Sequence, residues 1–545
     1  MTIASLNESN DDYQEFNGTV CATVDNNISK LLFNDQNSST ATFTIQNALK
    51  DIRVHLSWKK DVDENCPLTD EDNETNTTDN FAVRPEKFLI TGNSASIFAG
   101  DDFNLSFNAL DADGSDTDDY NETTANASFT IEANSTKAGC INGTLHIDDI
   151  NFTNGVASDI NTTYSNIGDV NITIKDSNDS SSFAYVDHDD TNESQRLISP
   201  ATASIYVKPY ELNITDVSFQ PSTDKDWLYM ADNINDMNIT LDTIVKAFNK
   251  QGDILQDFNE TCYAQDVNVT FYYDLNNSNS DINLTLDGNL TSNDVNISDI
   301  NKTLQIPKKL FIDGEANSSY AFGIDRNYYD YKNPVNVVLK DVNVTTQNIS
   351  KELQGKLLES DNNATFYFAR TYTQDLATSQ SSDTTKAEIL IYSDHPLKDD
   401  NNVSLQEELL NWYLNTMHTD NSFGNITNTT PSKSIQKSAT TDITTSAASI
   451  TNGISTIEVN TTNDTKGSYF IHLDENRWLW YVAQNFGSDY NDSDNSKCTE
   501  HPCIKYTYEQ KSLGHAVKSG TTTGVHFESS DVNVSKNNQG VRLFR

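Results

Sequence analysis

The chain has 545 residues, too many for one hydrophobic core, and its length predicts about three to five domains. Its 80 acidic and 36 basic residues give a formal net charge of −44, which excludes charge-driven binding to DNA, RNA or anionic lipid. Hydrophobic residues make up 36% and aromatic residues 10%, with 24 Phe and 23 Tyr, which excludes a wholly disordered chain.

Residues 1–80 read as a small β unit. Ala41 to Ile45 and Ile52 to Trp58 alternate, and Val54, Leu56 and Trp58 share one face. Asp61 to Asp79 is an acidic loop holding Cys66, and a disulfide back to Cys21 would anchor it.

Residues 81–208 form a first β-sandwich. Phe103, Leu105, Phe107 and Ala109 sit two apart, so one face of that strand is apolar. Asp111 to Asp119 cannot continue the strand and turns at Gly114. Further strands are expected at Ser128 to Glu132, Gly143 to Asn151, Gly168 to Ile174 and Ser204 to Lys208, with a polar, mobile loop from Asp176 to Ser194. Short strands at regular spacing without helical period argue for a sandwich.

Residues 209–345 form a second copy. Ala247 and Gly252 stand 138 residues after Ala109 and Gly114, and Phe258-Asn259-Glu260-Thr261 matches Tyr120-Asn121-Glu122-Thr123. Val267 to Tyr273 is a strong strand, and Val335 to Val344 ends the unit.

Residues 346–545 differ. Ala364 to Tyr372 and Ala387 to Ser393 read as strands. Leu405, Leu409, Trp412 and Tyr413 have helical spacing behind Ser404 as N-cap, which predicts a helix over Leu405 to Met417. Thr427 to Ser455 is a Ser/Thr-rich linker or solvated strand, and Gly467 to Val482 is densest in aromatics. The fold class is thus mainly β: tandem immunoglobulin-like sandwiches with a C-terminal β-rich domain carrying one helix.

The first-sandwich pattern resembles the MshQ-like family of exported proteins associated with MSHA-type pilus biogenesis. The matching residues are Arg84-Pro85, Ala99-Gly100 leading into Phe103, Ala109, Gly114, Tyr120, Phe152 to Gly155 and Tyr164 to Gly168. They are turn and core residues. The resemblance implies an envelope-exported component linked to type IV pili in a Gram-negative bacterium, and it brings no catalytic residues.

Six cysteines, none in a CxxC, favour disulfides and an oxidising compartment. The expected pairs are Cys21–Cys66 and Cys498–Cys503, leaving Cys140 and Cys262, at different positions of the two copies, for a third. No secretory signal stands at the start and no apolar stretch approaches a membrane span, so the chain reads as a fragment or processed form of a larger exported protein. Asn-x-Ser/Thr triplets such as Asn17-Gly18-Thr19 are frequent, but a chain this rich in Asn, Ser and Thr forms them by composition, and they carry no weight in this reading.

Asp111, Asp113, Asp116 and Asp118, with Asp119, crowd one turn as hard oxygen ligands for calcium, although no bidentate Glu completes the EF-hand order; a solvated acidic turn is the alternative. Asp187, Asp189 and Asp190 beside His188 pose the same choice. Cys498, His501, Cys503 and His515 fit a small disulfide loop better than a zinc ribbon. Trp478, Trp480 and Tyr481 form either a sugar-stacking platform or a buried sheet face. Gly-x-Ser-x-Gly, His-Glu-x-x-His and the phosphate-binding Gly-Lys-Ser/Thr loop are all absent, so no enzyme is expected. The residues point to an exported surface or pilus-associated structural or adhesive protein whose partners are envelope proteins or surface glycans. A carbohydrate-binding module, or a glycan-active enzyme in the last domain, is the alternative.

Overall fold

The computed structural model describes residues 2–5, 13–92, 96–231, 237–276, 283–288, 293–296, 301–324, 326, 331–359, 362–419, 428–433, 443–461, 467–474, 479, 503–508, 533–537 and 540–544. Strands dominate throughout, and the pairings are almost all antiparallel.

The main sheet of the N-terminal unit is four-stranded, in the order Asn27–Gln36, Phe16–Val24, His55–Lys60, Asn73–Asn76, beside the two-stranded pairs Thr2–Ala4 with Ser38–Thr40 and Leu49–Ile52 with Phe81–Val83. Alternation sets its core: Val20, Ala22 and Val24 point inward with Leu31, Phe33 and Val54, and Leu56 and Trp58 pack against them. Cys21 is bonded to Cys66, with Cα atoms 5.7 Å apart, which ties the acidic loop to the sheet.

The first sandwich pairs two four-stranded sheets. One runs Leu145–Ile147, Val156–Tyr164, Phe103–Leu110, Lys87–Gly92; the other runs Ile97–Phe98, Ala201–Lys208, Gly168–Asp176, Phe129–Ser135. Ile97–Phe98 pairs in parallel with Val207 and Lys208, so the chain crosses from one sheet to the other within a few residues. Leu105, Phe107 and Ala109 fill the interior opposite Val170, Ile172 and Ile174. The Asp176–Ser194 segment is packed rather than loose. Phe183 is buried against Tyr120, and Asn192 caps the one α-helix of the described residues, Glu193–Arg196, through a capping box.

The second sandwich repeats the plan. Glu211–Pro221, Ile239–Phe248 and Glu315–Ile324 are central to one sheet; Val267–Asn276, Val335–Thr345 and Asn363–Tyr367 belong to the other. The last of these strands carries the unit on to Tyr367, past the Val344 at which the sequence reading ends it. In the last unit Ser382–Tyr392 pairs with Ala369–Thr373, Trp412–Leu414 and Ile454–Thr461, and Gly467–Asp474 pairs with Asn428–Lys433 and Cys503–Tyr508.

The helix expected over Leu405 to Met417 is not formed. Glu407–Leu409 and Trp412–Leu414 make a hairpin instead. Leu410 at its tip is 84% exposed and Asn411 adopts φ 64°. The apolar spacing satisfied a helix, but Trp412, Tyr413 and Leu414 are consecutive and all buried, a run that fits a strand between sheet and neighbouring unit.

Candidate functional site: the joints between units

Each sandwich meets the preceding unit through the loop that follows its first long inward-facing strand. In the first sandwich this is the acidic loop after Phe103–Leu110. Asp118 O accepts from Ala48 N at 2.8 Å, and Lys50 pairs with the buried Glu122 at 2.7 Å. In the second it is the loop after Ile239–Phe248. Lys250 N donates to Ala99 O at 3.0 Å and Gln251 Nε2 donates to Gly100 O at 3.0 Å. In the last it is the loop after Ser382–Tyr392, where Asp394 N donates to Asn333 Oδ1 at 2.9 Å.

The joint between the two sandwiches is the most heavily built. Cys140 is bonded to Cys262 across it, with Cα atoms 5.9 Å apart. Asp257, only 2% exposed, accepts from Ile141 N at 2.9 and 3.1 Å and from Asn166 Nδ2 at 2.8 Å. Burial pushes its carboxyl above the usual range, partly offset by these donors. Gly168 takes φ 114°, and a Cβ there would lie 2.1 Å from the Tyr263 ring, so the position needs glycine twice over. On the outer side Lys250 pairs with Asp101 at 3.1 Å and Asp102 at 2.8 Å, and Lys351 also pairs with Asp101. Burial opposes ionisation of Asp101, but the hydrogen bonds from Lys351 and Lys250 outweigh it and hold the carboxyl below its ordinary value.

The joint to the last unit is aromatic. Asn415 Nδ2 donates to Tyr229 Oη at 2.6 Å, and the same oxygen lies 2.9 Å from His418 Nδ1, all three groups being buried. The Arg326 guanidinium sits 4.2 Å from the Phe368 ring centre and that of Arg370 4.0 Å from Trp412.

The predicted calcium turn is closed by its own backbone. Asp111 Oδ1 accepts from the N–H groups of Asp113, Gly114 and Ser115, Asp113 Oδ1 accepts from Ser115 N, and Asp116 Oδ1 accepts from Asn108 Nδ2. Hydrogen bonds from Ser115 and Asp111 lower the Asp113 carboxyl. These contacts make an Asx-type turn, and Asp118 contributes its backbone carbonyl to the joint. Among the described residues, only Cys140, Asp257 and Cys262 place three potential ligand atoms within 4.8 Å of one another, and there both sulfurs are spent in the disulfide. The acidic turn does not gather three such atoms, and Asp187 is likewise engaged by the fold, accepting from Ala82 N at 3.0 Å. Trp478, Trp480, Tyr481 and Cys498, as well as His501 and His515, lie outside the described residues, as does the side chain of Cys503. Sequence reasoning missed Asp257, which nothing distinguishes from 57 other aspartates before the fold buries it.

No known family model matches the chain, and no curated protein matches it. Among solved structures it is similar to the Escherichia coli adhesin FdeC, with 9% identity and a TM-score of 0.34 over 78% of this chain and 98% of that one. It is also similar to InvE, an adhesin of Yersinia pseudotuberculosis, with 12% identity and a TM-score of 0.24 over 61% and 77% of the two chains. Invasin, described as a bacterial integrin-binding protein, aligns at 11% identity and a TM-score of 0.21 over 71% and 56%. The fold is that of tandem immunoglobulin-like β-sandwiches. Among the described residues no helix is long and apolar enough to cross a membrane.

Proposed function

We propose that the protein is an exported cell-surface structural or adhesive component that carries a binding surface on stacked β-domains. The observation that supports this most is the joint between the two sandwiches, which is fixed at once by a disulfide, a buried carboxylate and a surface ion-pair cluster. A chain whose units must only be connected needs a linker; one that must hold a surface at a set distance and orientation needs such a joint. Two disulfides accord with an oxidising location. The resemblance of the first sandwich to MshQ-like proteins favours envelope or pilus subunits as neighbours, with surface glycans as the other class of partner.

Protease shaving and antibody labelling of intact cells test the reading. Labelling of the sandwiches on unbroken cells is the expected result. Protein that is reached only after lysis would end the proposal.

A further inference from the structure

Composition does not explain the Asn-x-Ser/Thr triplets once they are counted by position. The chain has 66 Asn, 52 Ser and 59 Thr, so random placement puts a hydroxyl residue two places after about 13 of the asparagines. It stands there after 36. Of these 36, 29 also have Asp or Glu two places before the Asn, whereas only 5 of the other 30 asparagines do. Glu15-Phe-Asn17-Gly-Thr19, Asp102-Phe-Asn104-Leu-Ser106, Asp149-Ile-Asn151-Phe-Thr153 and Glu315-Ala-Asn317-Ser-Ser319 are examples.

Strand alternation is the obvious bland cause, because it places polar residues two apart on one face. It has no direction, however, and would give the mirror order as often. Ser/Thr-x-Asn-x-Asp/Glu occurs nowhere in the chain. Nor does a preference for hydroxyls near acidic residues suffice, because only 8 of 58 Asp have Ser or Thr two places after them. The pattern is specific to Asn and to one chain direction, as expected where an enzyme reads an extended peptide. In that conformation acid, amide and hydroxyl project from the same side at intervals of about 6–7 Å.

The fold provides an independent observation. None of the triplet asparagines whose burial is described is buried. Among the described residues the buried asparagines are Asn166, Asn249 and Asn415, and all three lie outside triplets. These three, with Asn333, also outside a triplet, are the asparagine side chains that bond across the joints among the described residues: Asn166 to Asp257, Asn249 to Ser165 O, Asn415 to Tyr229 and Asn333 to Asp394 N. The pattern thus covers the open faces and spares the contacts between units.

We propose that the chain is N-glycosylated at its Asp/Glu-x-Asn-x-Ser/Thr sites by a transferase that meets it during export, which rests on the export part of the reading above. In each transfer the Asn Nδ2 forms a bond to the anomeric carbon of a glycan activated as a lipid-linked phosphate or pyrophosphate. The sugar–oxygen bond to that phosphate breaks, the lipid phosphate leaves with the electron pair, and an amide proton passes to a base of the transferase. The acid two places before the Asn fits a cationic contact in the transferase's peptide groove. Glycans at Asn73 and Asn76 would stand on the exposed edge strand Asn73–Asn76 and block edge-to-edge pairing there.

Peptide mapping by mass spectrometry of the protein purified from its own cells tests this. Glycan is expected at Asn17, Asn104, Asn151 and Asn317, and none at Asn166, Asn249 or Asn415, with the modified residue assigned within each peptide by fragmentation. Asp149→Gln and Thr153→Ala should each remove glycan from Asn151 alone, with occupancy elsewhere showing that the variants are folded and exported. Bare asparagines at all of these sites would overturn the inference, as would occupancy at Asn151 that ignores both substitutions. Surface labelling of the same cells separates the two readings: labelled but unmodified protein sinks glycosylation and leaves the surface function standing.

Discussion

Two carboxylates at the joint between the sandwiches have opposite pH signatures. Asp257 is held above its ordinary value of 3.8, so the folded state binds its proton more tightly than the unfolded chain does. Its contribution to stability is greatest in acid and declines as pH rises from 3.8 to its higher folded value. Asp101 is held below 3.8, so the ion pairs with Lys250 and Lys351 contribute fully above that pH and fade as pH falls through the folded value. Urea unfolding followed against pH should therefore show Asp257→Asn flattening the decline above pH 3.8, and Asp101→Asn flattening the acid limb below it. Asp257→Ala removes the acceptor of the Ile141 N–H and one of the two acceptors of the Asn166 amide, and is expected to cost about 1–3 kcal/mol in the same measurement. Neither residue was legible as a site in the sequence. Aspartate is among the commonest residues of the chain, and what singles out these two is the burial of one and the facing lysines of the other.

Hairpins and helices compete for the same apolar residues, and the Leu405 to Met417 segment shows what decides. Leu405, Leu409, Trp412 and Tyr413 satisfy a helical period, but the strand Ser382–Tyr392 lies alongside and pairs with Trp412–Leu414. Tertiary hydrogen bonding overrides the local pattern there, and Asn411 supplies the left-handed turn residue that a hairpin requires. Asn411→Val should destabilise the last unit by about 1–2 kcal/mol, and Asn411→Gly by less, in thermal or urea unfolding. A helical segment would give the reverse ranking, because Gly is the poorer helix former. The repeated strands were easier to read. Phe103, Leu105, Phe107 and Ala109 alternate cleanly because one face of that strand is at least partly exposed and the other faces the core. The correspondence of Tyr120 with Phe258 likewise marks two equivalent core positions, each almost wholly buried.

Across the whole molecule, the covalent link between Cys140 and Cys262 closes a long stretch of chain and joins two units. Replacing both with Ser should lower stability by about 2–4 kcal/mol and loosen the joint, leaving each sandwich folded. Denaturant unfolding measures the first effect, and small-angle scattering the second, as a broader distribution of end-to-end distances. Unchanged scattering would mean that Asp257, Gly168 against Tyr263 and the Asp101 ion pairs hold the joint by themselves. The sequence by itself determined what depends on order along the chain: the β class, through period-two alternation; the duplication, through matched turns and core residues; the acidic surface, through composition; and the directional Asp/Glu-x-Asn-x-Ser/Thr pattern, through position. Only the tertiary structure decided the placing of the Cys140–Cys262 bond across the joint beside a buried Asp257, the hairpin around Asn411 and the internal closure of the Asp111 turn. The first two depend on atoms brought together from distant parts of the chain, where alternation and spacing carry no information and burial and strand pairing set the outcome; the Asp111 turn closes within residues 108–116, through which carboxylate oxygen each N–H group meets.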